Sequence, residues 1–123
     1  MATVAEFPQL LYDAFYTDEE NAAGIYGIRF FIRGKPWVVD VDDALVWDTW
    51  LASYGLPAGL LFSRPFDNNG DMWGVILEKA FGKVKGSIVT SGQGGFVASG
   101  VRSLVGAPYF YYWVEEGDLD FMF

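Results

Sequence analysis

Two runs of apolar and β-branched residues, joined by a short Gly-Lys pair, constrain the fold of this chain more than any other feature. The stretch GIYGIRFFIRGKPWVVDVDD covers residues 24–43. Side chains alternate between the two faces of a strand, so each run places three apolar residues on one face. These residues are Ile28, Phe30 and Ile32 in the first run and Trp37, Val39 and Val41 in the second. Because Gly34 can take the positive φ of a tight turn, the sequence predicts a β-hairpin with one buried face.

The segment before the hairpin has helical spacing. Its apolar residues recur at intervals of three and four, which predicts one helix from Val4 to Tyr16. Pro8 suits the first turn, because its missing N–H would have no helical partner there. The apolar residues of this pattern are Phe7, Leu10, Leu11, Ala14 and Phe15.

The segment DNNGDMWGVILEKAFGKVKG, residues 67–86, has the strongest helical pattern in the chain. Asn69 is a suitable N-cap, and the negative charge of Asp71 is favourable in a first turn. Gly86 is a suitable residue to end the helix. The predicted buried stripe consists of Trp73, Ile76, Leu77, Ala80, Phe81 and Val84.

The remaining segments are shorter. Residues 44–66 are punctuated by Gly and Pro and predict a loop with a short strand at 60–63. SGQGG, residues 91–95, predicts a turn, FVASGVRSLVG, residues 96–106, a short helix, and the aromatic residues 109–116 an extended segment. Helices on both sides of a hairpin predict an α+β fold.

The composition predicts that a protein partner covers part of the surface of the folded chain. The chain of 123 residues is 52% hydrophobic and contains 11 Phe, 7 Tyr and 5 Trp. A domain of this size has a limited number of buried positions, and large exposed apolar surfaces mark contacts with partners. We therefore expect one or more protein partners, or a large assembly. The net charge of −8 and the scattered basic residues argue against nucleic acid as a partner.

The sequence also bears on the compartment. No segment approaches the roughly 20 apolar residues that a membrane span requires. The stretch MATVAEFPQL has neither the basic region nor the long apolar run of a signal peptide. We therefore expect no membrane span and an intracellular, cytoplasmic location.

The chain has no cysteine and no histidine, which removes most catalytic chemistry. Thiolate nucleophiles, imidazole bases, disulfides and zinc fingers all require these residues. The acidic run Asp40, Asp42 and Asp43 is a candidate for a hard cation, because carboxylate oxygens suit calcium and magnesium. Asp40 and Asp42 alternate with Val39 and Val41, as on a solvated strand face, and we favour that interpretation.

Two further motifs are similar to ligand-binding loops, but for each of them a purely structural role is favoured. DNNGD, residues 67–71, is similar to a calcium loop but lacks the glutamate that such a loop needs, so a capped helix start is favoured. GQGGF, residues 92–96, contains glycines but no lysine–serine pair of a phosphate-binding loop, so a flexible turn is favoured. Glu78 and Lys79 are predicted to lie on the exposed side of the helix, where solvation alone accounts for them.

Several stretches, in order, resemble one family, the calpains, which are calcium-dependent cysteine proteases with a papain-like core. The hairpin resembles the family's hairpin that ends in paired aspartates, and LLFSRPFDNNGDMWGVILEKAFGKVKGS resembles its segment that ends in a helix. AEFPQLLYDAFYTDEENAAG is similar to the approach to the hairpin in protist members, and GGFVASGVRSLVGAPYFYY to the glycine pair and the path to the second lobe. The resemblance covers most of residues 5–112. It implies a partial first lobe at 1–92 and the start of the second lobe, with a tail, at 93–123.

The family's catalytic residues have no counterpart in this sequence. Its nucleophilic cysteine precedes the matched region, and its histidine and asparagine lie in the second lobe. A cysteine protease needs a thiolate formed by a nearby imidazole. This chain alone is therefore not expected to be an enzyme.

The resemblance implies two binding positions. The pair matching Gly94 and Gly95 offers its backbone to an extended peptide in the family, although TSGQGG has an extra residue nearby. Asp71 matches a calcium ligand, but its partner ligands belong to the missing stretch around the cysteine. No cofactor is therefore predicted, and calcium only through the resemblance, at an incomplete site.

These observations predict a non-catalytic calpain-like domain, a pseudoenzyme that acts as a structural or accessory subunit in a larger assembly. The alternative is a fragment of an active calcium-dependent cysteine endopeptidase whose catalytic residues lie outside this chain. A third hypothesis is a regulatory module that competes with a true protease for its partner or substrate. The initial Met favours the first hypothesis, and the tail EEGDLDFMF, which departs from the family pattern, suggests either a real C-terminus or a frame change.

Overall fold

The computed structural model describes residues 2–17, 19–55, 58–61, 63, 71–93 and 95–110. Two helices precede the two small antiparallel sheets and three helices follow them, which confirms the predicted α+β class. The elements are α1 (Ala2–Ala5), α2 (Pro8–Ala14), β1 (Ile25–Ile32), β2 (Lys35–Asp42), β3 (Trp47–Asp48), a 3₁₀ helix (Trp50–Tyr54), β4 (Gly59–Leu60), α3 (Trp73–Lys85), α4 (Ile88–Gly92) and α5 (Val97–Val105).

The predicted hairpin is present as β1 and β2. Ile28 lies opposite Val39 and Phe30 opposite Trp37. Arg33 and Gly34 both have positive φ, the conformation of a two-residue turn whose twist matches that of the strands. The buried face extends over only part of the hairpin, because Ile28 and Phe30 are fully buried whereas Trp37, close to the turn, is 57% exposed.

The first helix is divided where the sequence predicted continuity. α1 ends at Ala5 and α2 begins at Pro8, in the first turn as predicted. A residue that precedes proline is excluded from the helical region by contact with the proline ring. Phe7 accordingly has φ −122° and ψ 83°, and this residue interrupts the helix.

The predicted core helix is present as α3. Ile76, Leu77 and Ala80 are buried, and Gly86 ends the helix in the left-handed conformation, as predicted. The prediction was wrong for Trp73, which begins the helix and is 37% exposed. Asp71 precedes the helix instead of lying in its first turn, and the predicted N-cap, Asn69, lies outside the described residues.

Two helices follow α3. The sequence did not predict α4, in which the Ser87 hydroxyl accepts hydrogen bonds from the backbone N–H groups of Val89 and Thr90. Ser91 therefore belongs to a helix and not to the predicted turn. α5 agrees with prediction and ends at Gly106, which has a φ of 74°. The predicted extended segment at 109–116 lies mostly outside the described residues.

Between the hairpin and α3, the short strands β3 and β4 pair in an antiparallel arrangement. β4 begins one residue before the predicted strand at 60–63. Across the described ranges, none of the helices combines the length and the apolar character needed to cross a membrane.

One cluster of side chains holds these elements together. α3 and α5 pack against the hairpin, and α2 contacts both β1 and α5. The buried members of the cluster are Val4, Ala14, Ile28, Phe30, Val41, Ile76, Leu77, Ala80 and Leu104.

Candidate functional site

The described member of the glycine pair, Gly95, lies in an open groove. This groove has a volume of about 580 Å³ and runs between the end of α3, α4 and the start of α5. Gly95 is exposed, and a Cβ atom added there would meet nothing within 4 Å. The chain itself therefore imposes no steric need for glycine at this position, and such a need would have to come from a bound ligand. Gly94 lies outside the described residues.

The groove beside Gly95 has polar lining residues that suit binding. They include Lys85, Thr90, Ser91, Gln93 and Ser99. Lys85 holds its ammonium 5.4 Å from the Phe81 ring centroid. The Ser91 hydroxyl donates to the carbonyl of Ile88 at 2.7 Å. The hydroxyl, amide and ammonium groups of this lining can form hydrogen bonds with a ligand. The peptide-binding role of Gly94 and Gly95 stays a prediction.

Asp71 lines a different cavity, of about 500 Å³, near α2 and the start of α3. Its carboxylate is exposed and lies two residues before the helix. In the part of the chain that the structure describes, no three carboxylates come together in a group that could hold a metal ion. Calcium prefers six to eight oxygen ligands, so the described residues do not make up a calcium site. The role of Asp71 as a metal ligand also stays a prediction.

The acidic run that ends the hairpin is a structural contact. The Lys79 ammonium donates to the Asp42 carboxylate at 2.6 Å, and to the backbone carbonyls of Asp42 and Ala44 at 2.9 and 2.6 Å. The hydrogen bond from Lys79 lowers the pKa of Asp42 below its ordinary value, and the backbone N–H of Ala44 adds to this effect. A lysine ammonium thus binds the Asp42 carboxylate that a metal would need. All three aspartates are exposed, as a solvated strand face predicts, but the ion pair of Asp42 was not predicted.

The sequence predicted that Glu78 and Lys79 are merely solvated on the exposed side of the helix. In the structure both side chains are partly buried and make hydrogen bonds. Glu78 accepts a 2.7 Å hydrogen bond from the backbone N–H of Ser63. Lys79 and Lys83, one turn apart, reach the end of β2, where the Lys83 ammonium donates to the carbonyl of Asp40 at 2.7 Å. The spacing of the two lysines was visible in the sequence, but their contact with the second strand of the predicted hairpin was not.

The hairpin packed on α3, followed by a glycine-containing groove, forms part of a papain-like protease core. A model of the calpain family of cysteine proteases matches residues 1–120. The chain therefore belongs to the calpain family, as the resemblance implied.

Two curated plant relatives match the chain. The calpain-type cysteine protease ADL1 of Oryza sativa subsp. japonica and the calpain-type cysteine protease DEK1 of Zea mays are each 38% identical to it over 96 residues. The aligned part is 76% of this chain and 4% of each relative, so the chain spans only a small portion of these proteins. No solved structure matches the chain.

Proposed function

We propose that this calpain-family domain is a non-catalytic structural or accessory subunit that packs against a second protein surface in a larger assembly. The chain has no cysteine and no histidine, so its own residues supply neither the thiolate nor the imidazole of a cysteine protease. The chain instead supplies a folded domain with a surface for binding, and a fold can be kept while the chemistry changes.

The observation that carries this proposal is a group of exposed aromatic side chains on one short segment. We call Val46, Trp47, Trp50 and Tyr54 the aromatic face. Trp47 is 62% exposed, and Trp50 and Tyr54 are each 65% exposed. The Trp50 and Tyr54 rings meet edge to face with their centroids 4.6 Å apart.

Such a face is costly to leave in water and well suited to a partner. Aromatic side chains bury large areas and are enriched at the centres of protein interfaces. Short backbone pairing positions the face, because the N–H of Leu61 donates to the carbonyl of Val46 at 3.0 Å. A partner would therefore meet an aromatic surface that a short backbone pairing holds to the rest of the domain.

The test is the native size of the full chain and of a variant with Trp47→Gln and Trp50→Gln. We expect the chain purified from its source to elute in a complex heavier than its 13.7 kDa, and the double variant to elute as a monomer with unchanged melting temperature. Tyr16→Gln is the matched control, because Tyr16 is a 73% exposed aromatic outside the aromatic face. A folded, soluble and monomeric wild-type chain would contradict the proposal.

A second candidate is a portion of an active calcium-dependent cysteine endopeptidase whose catalytic residues lie outside these 123 residues. The observation in its favour is that the chain corresponds to 4% of the length of each plant relative. The intact mass of the native polypeptide separates the two candidates. A mass near 13.7 kDa supports the first, whereas a much larger polypeptide that contains cysteine and histidine, with calcium-stimulated cleavage blocked by thiol reagents, supports the second.

A further inference from the structure

The cavity that Asp71 lines has aromatic walls. It opens between α2, the segment that follows α2, β1 and the start of α3, and its volume is about 500 Å³. Four of its lining residues are the aromatics Tyr12, Phe15, Tyr26 and Trp73. Tyr12 is 72% exposed, so ring surface in this cavity is open to a ligand. We call it the Tyr12 cavity.

The charged side chains among the described residues that line the Tyr12 cavity are all acidic. Glu19 and Glu20 line it together with Asp71, and all three are exposed. Among the described residues that line it there is neither lysine nor arginine. A cleft lined by one sign of charge focuses the field and attracts the opposite charge, and the net charge of −8 adds to this effect.

The arrangement selects the kind of cation. These carboxylates are not gathered into a group that could hold a metal ion within the described ranges. An organic cation is larger than a metal ion, and it can contact the flat side of an aromatic ring and a more distant carboxylate at the same time. Lysine and arginine also carry apolar stems that pack against rings while the charged end stays near carboxylates.

We propose that the Tyr12 cavity receives a basic side chain, lysine or arginine, from a protein partner. The inference rests on the proposed function in one respect, because the occupant is part of the partner. It adds the chemistry of that partner, which presents a positive side chain to this end of the domain. The aromatic face shares no residue with the Tyr12 cavity, so the two surfaces can be altered separately.

The test is a titration of the full chain, labelled with ¹⁵N, by a short synthetic peptide of glycine and serine with one central arginine. The control peptide carries citrulline, which keeps the shape of arginine without its charge. We expect shifts at Tyr12, Glu19 and Glu20 and at the Trp73 indole, with binding of the citrulline peptide at least tenfold weaker. Equal binding of both peptides would overturn the proposal. Spermine serves as a third probe, and a chain that binds spermine but not the arginine peptide would also overturn it.

Variants separate the cavity from the general charge of the chain. Glu19→Gln with Glu20→Gln, and separately Tyr12→Leu, should each weaken the arginine peptide at least fivefold. Glu6→Gln is the matched control, because Glu6 is an exposed carboxylate outside the cavity, and it should leave binding unchanged. A loss of the same size in Glu6→Gln, or no loss in Tyr12→Leu, would contradict a site in this cavity. A monomeric chain that binds the arginine peptide would contradict the proposed function alone, whereas a large complex without peptide binding would contradict this inference alone.

Discussion

The carboxylate of Asp42, at the end of the hairpin, is held by hydrogen bonds from neighbouring residues. Its hydrogen bond with Lys79 spans 37 residues of sequence and joins β2 to α3. The Lys79 side chain is 28% exposed and the Asp42 side chain 61% exposed, so water screens part of the attraction. The contact nevertheless has a consequence that pH can reveal, because the pKa of Asp42 is lowered in the folded state.

We expect Asp42→Asn to lower the free energy of unfolding at neutral pH and to lose this effect in acid. A carboxyl group with a lowered pKa in the folded state stabilises the fold above its ordinary pKa of 3.8. That contribution disappears as the pH falls below 3.8 and through the lowered value. Urea unfolding of wild type and Asp42→Asn from pH 7 to pH 2 measures the difference.

Asp40→Asn is the control for this series. Asp40 lies on the same strand and is exposed, and only its backbone carbonyl bonds to Lys83. Its substitution should have little effect at any pH. A difference between wild type and Asp42→Asn that stays constant down to pH 2 would show that the ion pair does not stabilise the fold.

At the scale of elements, the contact between α3 and α4 depends on a glycine. A Cβ atom added to Gly82 would lie 3.0 Å from the Cα of Ile88 and 3.2 Å from its Cβ. Real Cβ atoms rarely approach backbone so closely, so a larger residue would push the two helices apart. The sequence offered no sign of this role, because α4 itself was not predicted.

We expect Gly82→Ala to destabilise the fold by about 1–3 kcal/mol through overpacking. Gly74→Ala in the same helix is the matched variant, because a Cβ atom there meets nothing within 4 Å. It should not destabilise the fold, since alanine is the better helix former. Urea unfolding of both variants measures the two effects, and a gain of stability in Gly82→Ala would show that α4 moves freely away from α3.

The sequence predicted the elements whose signals are local. Alternating residues and a turn glycine identify the hairpin, and the apolar stripe and Gly86 identify α3. The predictions failed where contacts between residues far apart in sequence determine the structure. The pairing of Lys79 with Asp42 needs the tertiary fold, and the exposure of Trp73 follows from the position at which α3 begins. The division of the first helix is the exception, because its cause is local: Pro8 restricts the backbone of Phe7.

The same distinction applies to the candidate site. A resemblance across the chain indicated the family, which the family model over residues 1–120 confirms. No local pattern pointed to the Tyr12 cavity, because its lining residues come from α1, α2, the segment after α2, β1 and the start of α3. Their side chains meet only after α2, β1 and α3 have packed together, so single sequence motifs do not predict the cavity.

At the scale of the whole molecule, stability is concentrated in the hairpin and α3. Ile28, Phe30 and Leu77 are fully buried, whereas β3 and β4 form a two-residue pairing beside the exposed aromatic face. Regions with few buried apolar contacts open more readily than the core. The aromatic face is therefore expected on a part of the domain that opens locally.

We expect native-state hydrogen exchange to divide the described amides into two groups. The amides of Ile28, Phe30 and Leu77 should exchange only through global unfolding, because they lie in the core. The amide of Leu61, which bonds to Val46, should exchange through local opening and at least tenfold faster. Exchange measured by NMR at increasing denaturant tests this, and equal protection of Leu61 and Ile28 would contradict it.

Lys79 and Lys83 on α3 also determine how the hairpin can meet other chains. The carbonyl of Gly27 accepts from the N–H of Tyr16, so it faces away from β2. Gly27 lies opposite Asp40, and directly opposed residues in an antiparallel pair either exchange both hydrogen bonds or neither. The carbonyl of Asp40 therefore points outward from the hairpin, and that of Asp42 has the same orientation.

These outward carbonyls would be the template for a third strand, and ammonium groups already occupy them. Lys83 bonds to the carbonyl of Asp40 and Lys79 to that of Asp42. An extended segment that approached β2 at this end would have to displace both lysines. Lysines at a sheet edge are a common protection against edge-to-edge aggregation. Although it carries so many exposed aromatic residues, the chain is thereby shielded at this edge from growth into an intermolecular sheet.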